Sequence, residues 1–111
     1  MEAPVAWLIL FISGAFEAVW AIALSKSEGF TKPVPIAVFV VALVVSMGGL
    51  GLALRELPVG TGYAVWVGVG AALTVLYSMA TGAEPASLLK VALILGIVGC
   101  VAGLQLTSPH P

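Results

Sequence analysis

The spacing of the charged residues constrains this fold more than any other feature. Three stretches carry no charge: 22 residues between Lys32 and Arg55, 27 between Glu56 and Glu84, and 21 after Lys90. About 20 mostly apolar residues are enough for a helix to cross a bilayer. Each of the three stretches is therefore predicted to contain a transmembrane helix.

The N-terminal segment is equally apolar from residue 4 to residue 25, apart from Glu17 near its middle. We interpret it as a fourth transmembrane helix with one embedded acid. The alternative is a cleaved signal peptide, which needs a basic start, an unbroken apolar stretch and a cleavage site. This segment lacks the basic start, is interrupted by Glu17, and runs to Lys26 without a convincing cleavage site. We expect it to be retained.

Composition narrows the class of protein further. Of the 111 residues, 61% are hydrophobic and 8% are charged, whereas a soluble domain carries about 25% charged residues. This excludes a soluble domain and also a disordered chain, which needs low hydrophobicity. A net charge of -1 leaves no basic patch for nucleic acid. One cysteine excludes a disulfide framework or a cysteine-based metal cluster. We expect no enzymatic activity, no cofactor and no metal, and we assign His110 no role.

The predicted fold is an all-α integral membrane protein. Prolines stand near the starts of the later helices, where a missing N–H costs nothing, and the short loops make consecutive helices antiparallel. No segment shows the alternation of a membrane β-strand. We expect one four-helix transmembrane domain over residues 1–111, with spans at about 4–25, 35–54, 59–81 and 87–106.

The loop charges leave the orientation open. Loops one and three share a membrane side and contain Lys26, Lys32 and Lys90, whereas loop two contains Arg55. The positive-inside rule counts these residues, and three against one is a weak bias. The chain inserts either in both orientations or with loops one and three in the cytoplasm.

Four helices are too few to enclose a polar passage and seal it, so we predict a homodimer. Three glycines of the fourth span, Gly96, Gly99 and Gly103, lie along one face. Small residues four apart let helices approach closely, which favours a dimer seam. Packing within one chain is the alternative.

Glu17 is the candidate binding residue. A carboxylate at mid-bilayer costs about 2.5–3.5 kcal/mol, so it should face the helices or a water-filled cavity and mark a functional site. Such an acid can take a proton while the site is empty and release it when a cation arrives. The alternative is a permanently protonated acid that is hydrogen-bonded to a neighbouring helix.

Two residues one helical turn from Glu17 support a cation site. Gly14 leaves room beside the carboxylate, and Trp20 offers an aromatic face to a cation, an attraction of roughly 0.5–2 kcal/mol. The alternative for Trp20 is interfacial anchoring, which suits Trp7 better because Trp7 is nearer the membrane edge.

Other candidates lie on the second and third spans. Tyr63 and Trp66 are one turn apart and form an aromatic wall. Gly68 and Gly70 weaken the middle of their helix, which favours either a hinge or close helix packing. The hydroxyl of Ser46 bonds either a carboxylate or its own backbone four residues back.

These motifs resemble those of the small multidrug resistance transporters, over almost the whole chain. Four spans, one glutamate in the first helix, and the segments SEGFTK (27–32) and LPVGTGYAVWVGVG (57–70) occur in the family's order. The segment around Glu17 resembles the guanidinium exporter subtype, because Gly14 and Trp20 flank the glutamate at three residues on either side. One departure is Gln105, where this subtype leads us to expect lysine.

The resemblance implies an antiparallel, dual-topology homodimer in the bacterial inner membrane that alternates access and exports guanidinium in exchange for protons. Glu17 would be the shared site of proton and substrate in both subunits, oriented by a hydrogen bond from Ser46. The implied pocket lining is Gly14, Trp20, Ser46, Tyr63 and Trp66. The family also implies the third-helix hinge at Gly68 and Gly70, and the fourth-helix seam.

Two rival functions stay open. A quaternary ammonium or multidrug cation exporter of the same family needs a roomier pocket, and Gly14 adds room. A non-transporting membrane subunit that binds a partner through its glycine faces would leave Glu17 without a task.

Overall fold

A computed structural model of the chain describes residues 2–107, so His110 and the rest of the C-terminal tail lie outside it. The described residues form helices and turns with no strand. All four helices are long and apolar enough to cross a membrane. The helices are α1 (Ala3–Lys26), α2 (Pro33–Ala53), α3 (Val59–Ala80) and α4 (Leu88–Thr107).

The helix ends follow from local sequence. Helix α2 begins at Pro33, two residues before the expected Pro35, because a proline at the first helical position loses no hydrogen bond. Helix α3 begins directly after Pro58. The Ser87 hydroxyl accepts the backbone N–H of Lys90 at 3.0 Å, which satisfies a free donor in the first turn of α4.

The turn between α1 and α2 is built on a buried serine. The Ser27 hydroxyl donates to the carbonyl of Leu24 at 2.7 Å and accepts the N–H of Phe30 at 3.2 Å. Glu28, Gly29 and Phe30 have φ angles of 49°, 72° and 66°, which is the left-handed region that non-glycine residues rarely adopt. Three such residues in succession reverse the chain within a short loop.

The helices form a flat layer. Helix α1 packs against both α2 and α3, α2 also contacts α3, and α4 packs against α3 alone within residues 2–107. The backbone extends 44 × 34 × 17 Å along its principal axes. The arrangement is therefore flat, with a smallest dimension half as large as the next one.

The apolar core lies where α1 meets α2 and α3. Its buried members are Ala6, Trp7, Leu10, Leu50, Ala53, Leu57, Val65 and Trp66. The assignment of Trp7 as an interfacial anchor is wrong, because its side chain is 4% exposed and belongs to this core. Nearness to the membrane edge suggested an anchor, but α1 packs against both α2 and α3.

Candidate cation site

The carboxylate of Glu17 lies directly against helix α3. A Cβ atom added to Gly70 would overlap the Glu17 side chain, including its Oε1 atom. Gly70 is buried and Glu17 is half-buried. The missing side chain of Gly70 is what allows an acid on α1 to approach the backbone of α3.

The Glu17 carboxylate has no hydrogen-bond or ion-pair partner within residues 2–107. The alternative of an acid held by a hydrogen bond to a neighbouring helix is therefore not found in the single chain. The described ion pairs lie at the loops, where Lys32 meets Glu28 at 3.8 Å and Lys90 meets Glu84 at 2.9 Å. Among the described residues, the Glu17 carboxylate is therefore unpaired.

Ser46 connects α2 to the helical turn that carries Glu17. Its fully buried hydroxyl donates to the backbone carbonyl of Ser13 at 2.7 Å. In an α-helix this carbonyl also accepts the backbone N–H of Glu17. The hydrogen bond from Ser46 to the Glu17 side chain, which the resemblance implied, is absent because the single hydroxyl proton goes to Ser13. Sequence reasoning missed this partner.

Gly14 does not leave the expected room beside the carboxylate. A Cβ atom there would lie 3.0 Å from the Cβ of Val69 and 3.2 Å from the carbonyl oxygen of Trp66. Gly49 on α2 likewise allows close contact with α1, since a Cβ atom there would lie 2.7 Å from the Cβ of Ser13. Both glycines are explained by the close approach of a helix to α1.

The candidate aromatic residues form two separate ring pairs. Tyr63 and Trp66 have centroids 5.8 Å apart with planes at 35°, in agreement with the aromatic pair expected on the third span. Trp66 is buried in the core, whereas Tyr63 is 54% exposed. Trp20 packs edge-on against Phe39 of α2, with centroids 6.0 Å apart. Phe39 was not singled out from the sequence, because its contact with Trp20 depends on how α2 packs against α1.

Both glycines of the expected hinge have packing partners. Besides the contact of Gly70 with Glu17, a Cβ atom on Gly68 would lie 2.7 Å from Cγ2 of Val101 on α4. Helix α3 is continuous from Val59 to Ala80. Close packing thus explains these two positions, and the hinge stays a prediction.

The glycine face of α4 is open. Nothing in the described chain lies within 4 Å of a Cβ atom placed on Gly96, Gly99 or Gly103. These glycines therefore do not serve close helix packing within the described part of one chain, which was the alternative to a dimer seam. The dimer seam stays a prediction.

An apolar groove of about 560 Å³ lies on α1 between α2 and α3. Lys26 and Tyr77 are at one end of it, and the Lys26 Nζ donates to the Tyr77 hydroxyl at 3.3 Å. Glu17 does not line this groove. A single chain thus places the acid on a helix contact outside this groove.

Several known proteins are similar to this chain in sequence. The model of the Small Multidrug Resistance protein family matches residues 5–97. A guanidinium exporter of Proteus vulgaris is 39% identical over 102 residues, covering 92% of this chain and 98% of the relative. Guanidinium exporters of Citrobacter freundii and Escherichia coli (strain K12) are each 46% identical over 97 residues, covering 84% of this chain and 92% of the relative.

These matches span most of the chain, and they confirm the resemblance inferred from the sequence. Four apolar helices and bacterial relatives of this kind agree in describing a multi-pass protein of the bacterial inner membrane. The chain belongs to the Small Multidrug Resistance protein family.

Proposed function

We propose that this chain exports guanidinium and small guanidinyl cations across the cytoplasmic membrane in exchange for protons. The observation that carries the proposal is the Glu17 carboxylate, which lies within a membrane-spanning helix without a partner in residues 2–107. The name guanidinium exporter, given to the relatives, supports the choice of substrate. The chain acts as one four-helix domain over residues 1–111 that moves its substrate unchanged, without enzymatic chemistry or a cofactor.

The chemistry of guanidinium suits this site. The ion is planar and positive, and its N–H groups pair bidentately with a carboxylate. Guanidinium groups are weakly hydrated and stack on aromatic faces. Glu17 would bind the fork of N–H groups, while the rings of Trp20, Tyr63 and Trp66 would line the pocket.

Competition at Glu17 couples the two fluxes. The carboxylate binds either a proton or a cation, so the two do not cross the membrane together in the same direction. A cation arriving from the cytoplasm displaces the proton, which is released there. A proton arriving from outside then displaces the cation. An inward proton gradient therefore drives the cation outward.

A second copy of the chain would complete the site. Glu17 is half-buried and has no hydrogen-bond or ion-pair partner among residues 2–107, so part of its surface is left for a second copy to cover. An antiparallel partner would cover that part and bring a second Glu17 to the site, with α4 joining the copies at Gly96, Gly99 and Gly103. Bending at Gly68 and Gly70 would then alternate the side from which the pair of acids is reached.

Proteoliposomes test the proposal. An imposed guanidinium gradient should drive proton movement with the wild-type chain and none with Glu17→Gln. The matched control is Glu28→Gln, which removes a loop acid that pairs with Lys32 and should keep the exchange. Retained exchange by Glu17→Gln would contradict the mechanism.

The substrate comparison separates the rivals. Guanidinium should drive proton movement at lower concentrations than a tetraalkylammonium ion does. The reverse order would assign the chain to quaternary ammonium export. A wild-type chain that moves no protons with either ion would be a non-transporting subunit.

A further inference from the structure

Phe39 lies on α2 between two aromatic neighbours. Its ring centroid is 6.0 Å from that of Trp20 with planes at 78°, and 5.8 Å from that of Phe30 with planes at 75°. Edge-to-face pairs at 4.5–7 Å are a preferred arrangement of aromatic rings. Phe39 is therefore the middle ring of a chain of three, which we call the aromatic chain.

The aromatic chain connects the first loop to the cation site. Trp20 is three residues after Glu17, so both lie on one side of α1. Phe30 belongs to the left-handed loop, where its φ is 66° and its N–H is bound by the Ser27 hydroxyl. The contacts run from Phe30 in the loop through Phe39 on α2 to Trp20, one helical turn from Glu17.

Packing, and not hydrogen bonding, orients Trp20 within the chain. Its indole Nε1 is buried and has no hydrogen-bond partner among residues 2–107. A ring without such a bond can turn about its side-chain torsions unless neighbours block it. The edge-to-face contact with Phe39 supplies that restraint from another helix.

We propose that Phe39 is a positioning residue for Trp20. It keeps the indole at the angle in which its face flanks a cation bound at Glu17, and Phe30 extends this restraint to the first loop. The inference rests on the proposed guanidinium export, since it concerns how the same site binds its cation. Phe39 itself does not touch the substrate.

The test replaces Phe39 by leucine, which keeps apolar bulk and removes the flat ring. The apparent KM for guanidinium in proteoliposomes should rise about threefold to tenfold, the range that corresponds to one aromatic pair, with the maximal rate changed by less than about twofold. Phe39→Tyr restores the ring and should restore the KM. Phe39→Met is the second variant if the leucine variant does not elute like wild type on size exclusion.

Phe11→Leu is the matched control. Phe11 pairs with Trp7 on α1, with ring centroids 6.2 Å apart, so the control removes a ring contact with a different tryptophan, away from Trp20. Its KM should stay within about twofold of wild type. An equal rise in both leucine variants would reduce Phe39 to ordinary packing and overturn the proposal.

A double-mutant cycle shows whether Phe39 acts through Trp20. Residues in contact give non-additive effects, whereas independent ones add. Once Trp20→Leu has removed the other ring of the pair, Phe39→Leu should change the KM by less than about twofold. If the double variant raises the KM by the product of the two single factors, the inference is overturned. Failure of the proposed function is distinct, because the wild-type chain would then show no guanidinium-dependent proton movement.

Discussion

Gly70 on α3 and Glu17 on α1 are in contact without space for a side chain between them. The carboxylate that we assign to binding is therefore placed by a residue of another helix. This contact makes the site sensitive to one added methyl group.

Gly70→Ala should disrupt cation binding without weakening the helix. Alanine favours a helix over glycine by about 1 kcal/mol, so a loss of function would come from displacement of the carboxylate. We expect the apparent affinity for guanidinium, measured by titration of purified protein, to fall at least about tenfold, because a paired carboxylate needs close alignment.

Gly60→Ala is the matched control on α3. Nothing in the described chain lies within 4 Å of a Cβ atom at Gly60. This variant should bind guanidinium as the wild type does. Unchanged affinity in Gly70→Ala would mean that the contact with Glu17 does not matter for binding.

Ser46→Ala should lower stability by removing the link between α2 and α1. Hydrogen bonds between membrane helices contribute about 0.6 kcal/mol on average and at most about 1.7. Thermal unfolding in detergent should show a loss of this order. Ser25→Ala, whose hydroxyl bonds the Ile22 carbonyl of its own helix, should shift the transition less. Equal shifts of the unfolding transition in the two variants would show that the Ser46 contact between helices adds no more stability than a bond within one helix.

Gly99→Leu should separate the proposed dimer. The glycine face of α4 is open in one chain, and a bulky side chain there would keep a second α4 from approaching. We expect a shift from dimer to monomer in size exclusion with multi-angle light scattering. Ala102→Leu, about a quarter turn from the middle of that face, should stay dimeric. A dimeric Gly99→Leu variant would place the seam elsewhere.

Acidic pH should weaken guanidinium binding. If proton and cation compete for Glu17, each reduces the affinity for the other by the same factor. The apparent Kd for guanidinium should then be constant at high pH, where the empty site has lost its proton. It should rise by up to about tenfold for each unit of acidification below that range. A Kd that does not change with pH would show that the two do not share a site.

The four helices could be predicted from sequence because they depend on local properties. Charge spacing alone separates α2, α3 and α4, and proline positions bring the predicted starts within two residues of the observed ones. Glu17 could be singled out because an acid within an apolar span is costly wherever the neighbouring helices lie.

Contacts between helices could not be predicted in the same way. The partner of Ser46 depends on how α2 crosses α1, and nothing in the sequence near Ser46 indicates Ser13. The space at Gly14 is filled by Val69, which is 55 positions away in the chain. Trp7 was expected near the membrane edge yet is buried, because α1 packs against both α2 and α3.

Proton release from purified protein in detergent tests whether Glu17 is the shared site. Guanidinium added to the wild-type chain in weakly buffered solution should acidify the medium, because each bound cation displaces a proton from the carboxylate. Glu17→Gln should release none under the same conditions, while Glu28→Gln releases as much as the wild type. Equal proton release from wild type and Glu17→Gln, or none from the wild type at saturating guanidinium, would contradict exchange at this carboxylate.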